Sequence, residues 1–221
     1  MQATAILNIE ELLADVTPEN PKVLYGVSWE DYVELCKSIL DETNYKLSFN
    51  RGILKIMVQG FRHDNKSWFL HDLIRQTSLV LKIKAIAAGS MTLISKRVRK
   101  GADPDESYYI QSYDRASFKR ELYDDETDAP PDLVIEIDET HKSDDKFEIY
   151  AAFGIKEFWL YDTRVLRMFE LSETGEYLLI ENSTALPVLT AAILTEFLNR
   201  SQREDQLKVL LDFEKWLQEN K

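Results

Sequence analysis

The chain has 221 residues, 44% of them hydrophobic and 11% aromatic, which is enough to bury one sizeable core. Its formal net charge of −12 argues against a protein that binds polyanions by bulk electrostatics, although it leaves room for a local basic cleft or a metal ion. The single cysteine, Cys36, excludes an intramolecular disulfide and a cysteine-rich zinc cluster, and it favours a reducing, cytoplasmic location.

The first half of the chain predicts a helix, a hairpin and a long helix. Residues 1–26 contain two prolines and a short apolar pattern, and we expect a loosely attached arm before a single domain of residues 27–221. A capping box at Ser28 opens a helix to about Glu42. Alternating apolar residues predict a hairpin over residues 45–58, and helical spacing predicts a helix over residues 64–84. No segment is apolar enough to span a membrane, and the acidic N-terminus does not resemble an export signal.

A basic cluster follows a predicted strand over residues 91–95. In an otherwise acidic chain, four cations occupy five positions: Lys96, Arg97, Arg99 and Lys100. Two interpretations stay open, a solvated strand end and an edge that contacts phosphates. After this cluster a turn ends at Pro104-Asp105 and leads into a strand over residues 107–111. An exposed, charged connection over residues 112–129 comes next.

The stretch Pro131–Asp138 predicts a buried strand that carries carboxylates. Its apolar, β-branched run is typical of a strand covered on both faces. Glu136 and Asp138 interrupt that run on one face, because strand side chains alternate. Buried carboxylates need a cation or a metal as partner. A helix over residues 144–153 and a strand over residues 157–162 follow, and this order favours a parallel strand pair. A hairpin and two helices complete the chain.

Four residues combine into a candidate hydrolytic site: Asp105, Glu136, Asp138 and Lys146. Carboxylates from neighbouring strands provide oxygen ligands for Mg²⁺ or Mn²⁺. A nearby lysine could orient or deprotonate water, or stabilise charge that develops at phosphorus. The alternative is a structural ion pair of Asp138 with Lys142 or Lys146, with Asp132 serving only to shape the strand entry.

These residues resemble the PD-(D/E)XK signature of restriction-endonuclease-like nucleases. The blocks at residues 101–110, 130–138 and 145–159 are similar, more narrowly, to the Uma-two family. This resemblance implies a restriction-endonuclease-like α/β fold, with a central mixed sheet flanked by helices, and a divalent-metal site. It implies that Asp105 and Glu136 bind the metal, that Asp138 occupies the position of the usual motif lysine, and that Lys146 is that lysine displaced onto the helix. Arg62 stands where the family usually has an acidic residue.

The sequence thus predicts a Mg²⁺- or Mn²⁺-dependent endonuclease that acts on DNA, as a homodimer, with Asp105 and Glu136 as metal ligands. Lys96, Arg97, Arg99 and Lys100 would lie near the phosphates. The main alternative is an inactive nuclease-fold module that binds nucleic acid or a protein partner. A phosphoesterase for a small substrate is a third option, which suits the charge of −12.

Overall fold

The computed structural model describes residues 9–39, 45–116, 122–125, 128–139 and 143–221. These residues form six α-helices and two six-stranded sheets. The helices are α1 (Ile9–Leu13), α2 (Trp29–Ser38), α3 (Phe61–Leu81), α4 (Lys146–Phe153), α5 (Ala191–Ser201) and α6 (Gln206–Asn220). Along the part of the chain that is described, none of the helices is long and apolar enough to cross a lipid bilayer.

The first sheet has the strand order β1-β3-β2-β6-β5-β8. Its strands are β1 (Lys22–Tyr25), β2 (Tyr45–Asn50), β3 (Ile53–Val58), β5 (Thr92–Ser95), β6 (Lys100–Ala102) and β8 (Leu122–Asp124). The predicted hairpin of residues 45–58 is confirmed as the antiparallel pair β2–β3. The segment expected as a loose arm is attached to this sheet, because β1 pairs along β3 and Leu12, Leu13 and Val16 are buried.

The second sheet has the strand order β12-β11-β10-β9-β7-β4. Its strands are β4 (Ile86–Ala87), β7 (Glu106–Tyr109), β9 (Leu133–Asp138), β10 (Glu157–Asp162), β11 (Leu166–Leu171) and β12 (Tyr177–Ile180). The parallel pairing predicted for the strand-helix-strand unit is confirmed, since β9 and β10 run parallel with Leu133 opposite Glu157. The remaining pairs of this sheet are antiparallel, so the sheet is mixed as expected.

The α/β class with a mixed sheet and flanking helices, which the resemblance implied, is confirmed, and the strands divide into two sheets joined by α4. One apolar cluster contains residues from the first sheet (Leu93, Ala102), from α4 (Ile149, Tyr150) and from the second sheet (Phe158). A separate cluster packs α1 and α2 on the first sheet. Another packs α3, α5 and α6 on the second. The helix α4 therefore covers both sheets, and one of the crossings between the sheets runs over Asp103–Asp105.

One helix boundary differs from the predictions in a way that matters for the cleft. The long helix begins at Phe61 instead of Asp64, because Gly60 takes the N-cap position without a side-chain cap. His63 therefore belongs to the first helical turn. The predicted end of α2 near Glu42 falls outside the described residues, as does Lys142. Helix α4 ends at Gly154 as predicted, where a φ of 74° satisfies the left-handed C-cap.

Candidate active site

Asp105 lies where the chain leaves the first sheet and enters β7. Its backbone N–H donates to the carbonyl of Ile135 at 3.1 Å, which fixes it against β9. Its Oδ2 accepts from the Ile137 N–H at 2.7 Å and lies 2.8 Å from His63 Nε2. The Gln59 amide donates to Oδ1. Only 6% of the Asp105 side chain is exposed, so these donors take the place of most of its hydration.

Glu136 lies on the face of β9 that α4 covers. Strand alternation directs Leu133, Ile135 and Ile137 into the cluster with α3, whereas Val134 packs with α4. Glu136 shares the side of Val134, and its Oε1 lies 2.9 Å from Lys146 Nζ and accepts a hydrogen bond from the Tyr150 hydroxyl. Lys146 Nζ also donates to the Asp103 carbonyl at 3.2 Å. The predicted burial of this strand on both faces is confirmed.

The two carboxylates reach one cleft of about 570 Å³. The pairing of β7 with β9, which sets Glu106 opposite Ile135, brings Asp105 beside Glu136 and Ile137. Asp138 lines the same cleft, but its carboxylate accepts from Ser143 Oγ at 2.6 Å and from the Ser143 N–H at 3.1 Å. Lys146 pairs with Glu136 and not with Asp138, so the ion pair of Asp138 with Lys146 considered from the sequence does not form.

Burial and charge displace the pKa values of these groups in different directions. The pKa of Glu136 is raised to about 7 overall. Burial is the largest cause and Asp105 adds to it, whereas Lys146 acts in the opposite direction. For Asp105, burial raises the pKa, but His63 and the other donors outweigh it and leave the pKa below its ordinary value. His63 responds reciprocally, since burial lowers its pKa and the Asp105 carboxylate raises it above 6.5 overall. Of these two carboxylates, Glu136 is therefore the one that protonates more easily at neutral pH.

The basic cluster is placed away from the cleft lining. Arg99 pairs with Glu30 at 3.0 Å, and Lys100 pairs with Glu148 at 2.6 Å. Arg97 lies 3.8 Å from Asp125, and Lys96 is exposed. The four cations stand before or at the start of β6, whereas Asp103 follows its end, about 10 Å further along the strand. The structure brings Asp105, Glu136, Asp138 and Lys146 together and leaves the basic cluster outside this group.

Several residues of the site carried no clear signal in the sequence. Gln59 and His63 hold Asp105, and Tyr150 holds Glu136. Tyr150 is four positions after Lys146, so helical spacing alone would have set it on the same face. His63 was predicted in the loop before the helix of residues 64–84, and its distance in sequence from Asp105 concealed the contact. Asp132 shapes the strand entry, as one interpretation held, because its Oδ2 accepts from the Ile110 N–H at 2.6 Å and from Ser112.

The donor set of the cleft suits a hard cation that retains water ligands. Asp105 and Glu136 offer carboxylate oxygens, which Mg²⁺ and Mn²⁺ prefer. Within the described ranges, no group of three or more His, Cys, Asp or Glu side chains is arranged to hold a metal. A cation bound by Asp105 and Glu136 would therefore complete its coordination with water or substrate oxygens. Acidic side chains outnumber basic ones in the cleft: Glu19, Asp103, Asp105, Glu136, Asp138 and Glu139 face Lys46, Arg62 and His63.

A match to a family model agrees with the resemblance read from the motif blocks. The model of the Uma2 family, described as "Putative restriction endonuclease", matches residues 29–204. A solved structure from Anabaena variabilis, titled a "putative nuclease belonging to DUF820", matches with 18% sequence identity and a TM-score of 0.45. That match covers 69% of this chain and 90% of the other. No curated protein matches the chain.

Proposed function

Because the chain belongs to the Uma2 family, we propose that it is a divalent-metal-dependent endonuclease that hydrolyses phosphodiester bonds in DNA. One observation carries this proposal. Asp105 and Glu136, from neighbouring antiparallel strands, line a single cleft, and Lys146 Nζ lies 2.9 Å from Glu136 Oε1. Two carboxylates and a lysine in this arrangement suit phosphoryl chemistry, in which positioning and charge stabilisation supply most of the catalysis.

The surplus of acidic groups in the cleft means that a phosphodiester needs a bound cation there. A phosphodiester would be repelled by the carboxylates of the cleft unless a positive charge lay between them. Asp105 and Glu136 would hold Mg²⁺ or Mn²⁺. When bound, such an ion polarises a phosphoryl oxygen and lowers the pKa of a coordinated water. Lys46, whose Nζ donates to the Pro104 carbonyl at 3.0 Å, fixes the backbone just before Asp105.

The protein's own side chains have distinct roles in this proposal. Lys146 holds Glu136 in place and can stabilise negative charge that develops at phosphorus. Tyr150 fixes the same carboxylate through its hydroxyl. Asp138, held by Ser143, can accept a hydrogen bond from water in the cleft and so orient it. His63 and Gln59 determine where the Asp105 carboxylate points before a cation arrives.

A second candidate, an inactive nuclease-fold binding module, is favoured by one feature. Asp105 already has His63 as partner, and Glu136 already has Lys146. A cation must displace or share these partners, which would lower its affinity. If it cannot, the chain would bind nucleic acid or a protein without cleaving it.

The decisive experiment is nicking of supercoiled plasmid DNA with Mg²⁺, with Mn²⁺ and with EDTA. We expect nicking with either cation, none with EDTA, and loss in Asp105→Asn and Glu136→Gln. Glu173→Gln, the same change of charge at an exposed turn, should retain full activity. Calorimetry should show a heat of Mn²⁺ binding that disappears in Glu136→Gln. Mn²⁺ binding without nicking of any DNA would favour the binding module, and cleavage of small phosphodiesters alone would favour the small-substrate phosphoesterase.

The homodimer predicted from the sequence is part of this proposal. Exposed apolar side chains are available for contacts between two copies: Leu178 and Leu179 on β12, and Leu207 and Leu211 on α6. Two sites in one particle could address two DNA strands. Light scattering should give twice the chain mass of 25.7 kDa, and a single chain mass at all concentrations would refute the dimer.

A further inference from the structure

Two aromatic side chains on α3 are mostly exposed to solvent. Phe61 is 83% exposed and lines the cleft that contains Asp105 and Glu136. Trp68, seven positions later, is 73% exposed. Residues at this spacing share one face of a helix, and Trp68 lies about 10 Å further along the axis. Large aromatic side chains normally bury most of their surface, so their exposure beside a candidate active site points to a ligand.

We propose that Phe61 and Trp68 form a stacking platform for unpaired nucleobases, and that the substrate is DNA with single-stranded or frayed segments. This inference rests on the proposed function and specifies its substrate class. An unpaired base offers a flat π face, and stacking on an aromatic side chain stabilises binding whatever the base identity. In an intact duplex those faces are covered by neighbouring base pairs, so Phe61 could contact only the backbone or the groove edges.

The charge of the protein favours this kind of contact. With a net charge of −12 and an acidic cleft, phosphate attraction cannot supply most of the binding energy. Stacking does not depend on net charge. Arg62, exposed and lining the same cleft beside Phe61, offers one guanidinium to a phosphate next to a stacked base. A site of this composition would hold a strand by its bases near the scissile bond and by few of its phosphates.

A second copy of the chain is the other possible occupant of this face. Leu79 lies on the same face of α3 and is 70% exposed, about 16 Å beyond Trp68. A protein partner would use the apolar surface of Leu79 as readily as that of the aromatic residues. A nucleic-acid strand that enters the cleft would use Phe61 and Trp68 and would gain nothing from Leu79. Leu79 therefore serves as the matched control.

The test is binding of a short fluorescein-labelled oligothymidine, alone and annealed to its complement, with Ca²⁺ replacing Mg²⁺ so that binding is measured apart from cleavage. We expect Phe61→Leu and Trp68→Leu, which keep apolar bulk but remove the π face, to weaken single-strand binding by about fivefold or more. Phe61→Tyr and Leu79→Ala should stay within about twofold of wild type, and duplex binding should not respond to any of these changes. Tryptophan fluorescence should be quenched by the single strand, and less so in Trp68→Leu.

Equal losses on single strand and duplex would overturn the proposal, because they would indicate backbone contacts. Unchanged single-strand binding in Phe61→Leu and Trp68→Leu, or no binding by wild type, would overturn it as well. Light scattering could show a smaller particle mass for Phe61→Leu and Leu79→Ala than for wild type, with unchanged oligothymidine binding. That result would assign this face of α3 to a second copy of the chain. Failure of the nuclease proposal is distinguishable, since a protein that stacks oligothymidine through Phe61 but never nicks DNA would be a single-strand binding module.

Discussion

Lys146 Nζ and Glu136 Oε1 lie 2.9 Å apart, and both side chains are almost completely buried. One belongs to α4 and the other to β9, so the pair joins the helix to the sheet at the cleft. Burial lowers the pKa of Lys146, but Glu136 outweighs this effect and leaves the pKa above its ordinary value. The lysine therefore remains protonated while it holds the carboxylate in place.

We expect Lys146→Met to abolish nicking and to destabilise the protein in a pH-dependent way. Removing one partner of a buried ion pair costs about 3–5 kcal/mol when the other partner stays charged. Burial raises the pKa of Glu136 to about 7 even with Lys146 present, so without the lysine the carboxyl can accept a proton and reduce the loss. Urea unfolding should show a larger loss at about pH 8 than at about pH 6. The double variant Glu136→Gln/Lys146→Met should regain part of the stability at pH 8, and a pH-independent loss would contradict this account.

Glu136→Gln should change how stability depends on pH. The unfolded glutamate titrates near about 4.3 and the folded one at about 7. Between these values the folded state holds more protons than the unfolded state, so wild type loses stability as pH rises. The amide introduced by the substitution cannot titrate, so the variant does not lose stability in this way. Lys146 without its partner also loses its proton more easily, which further raises the stability of the variant relative to wild type as pH increases. The free energy of unfolding of the variant relative to wild type should rise between about pH 5 and pH 8 by about 3 kcal/mol. A constant difference would mean that Glu136 is already ionised at pH 5.

Asp105→Asn should lower the pKa of His63. Burial by itself lowers the pKa of this imidazole, and the Asp105 carboxylate, with a smaller contribution from Asp64, raises it above 6.5. The pair stabilises the fold below the ordinary pKa of histidine, and this contribution disappears as pH rises through the raised value. NMR titration of the imidazole protons should show a lower midpoint for His63 in Asp105→Asn, with His63→Gln identifying the resonance. His71, whose pKa is raised by its hydrogen bond with Glu106, should not change and is the internal control.

Lys96→Ala and Arg97→Ala together should reduce the salt dependence of duplex DNA binding. Lys96 is exposed and Arg97 approaches Asp125 only to 3.8 Å, whereas Arg99 and Lys100 have closer partners on α2 and α4. Each phosphate contact that is lost lowers the slope of log K against log salt by about 0.9. The slope should therefore decrease by up to about 2 in the double variant. The control is Lys100→Ala, which loses its contact with Glu148 and should reduce stability but leave the slope unchanged. An unchanged slope in the double variant would show that the basic cluster does not contact DNA.

Gly101→Ala should destabilise the protein and impair the site without touching a candidate ligand. A Cβ on Gly101 would lie 2.6 Å from ring carbons of Tyr32, a completely buried side chain. Forcing atoms into a packed interior costs about 1–3 kcal/mol. Because Gly101 lies in β6, two residues before Asp103, the displacement should reach the cleft. Thermal unfolding and nicking should both decline, and Gly101→Ala combined with Tyr32→Phe should remain destabilised, because the clash involves the ring as well as the hydroxyl.

Local patterns in the sequence were sufficient for most of the elements. The helical spacing of α3, the alternation in β2 and β3, and the strand-helix-strand order from β9 to β10 are encoded within short segments, and the motif blocks marked Asp105, Glu136 and Lys146. The division into two sheets is not local, since it depends on which strands pair over long sequence distances. The partners of Arg99 and Lys100 are 69 and 48 residues away, so periodicity could not distinguish a paired cation from one available to DNA.

The short crossing between the sheets ties the candidate chemistry to the integrity of the whole chain. The Asp103 carboxylate accepts from the Leu47 N–H of the first sheet at 2.8 Å, while its carbonyl accepts from Lys146 on α4 at 3.2 Å. Asp105 follows two residues later. The strands of the two sheets alternate along the chain, so a cut in the chain separates residues that form these anchors. A single fragment excised from the chain is therefore expected to be inactive. Activity is expected only when two complementary fragments reassociate.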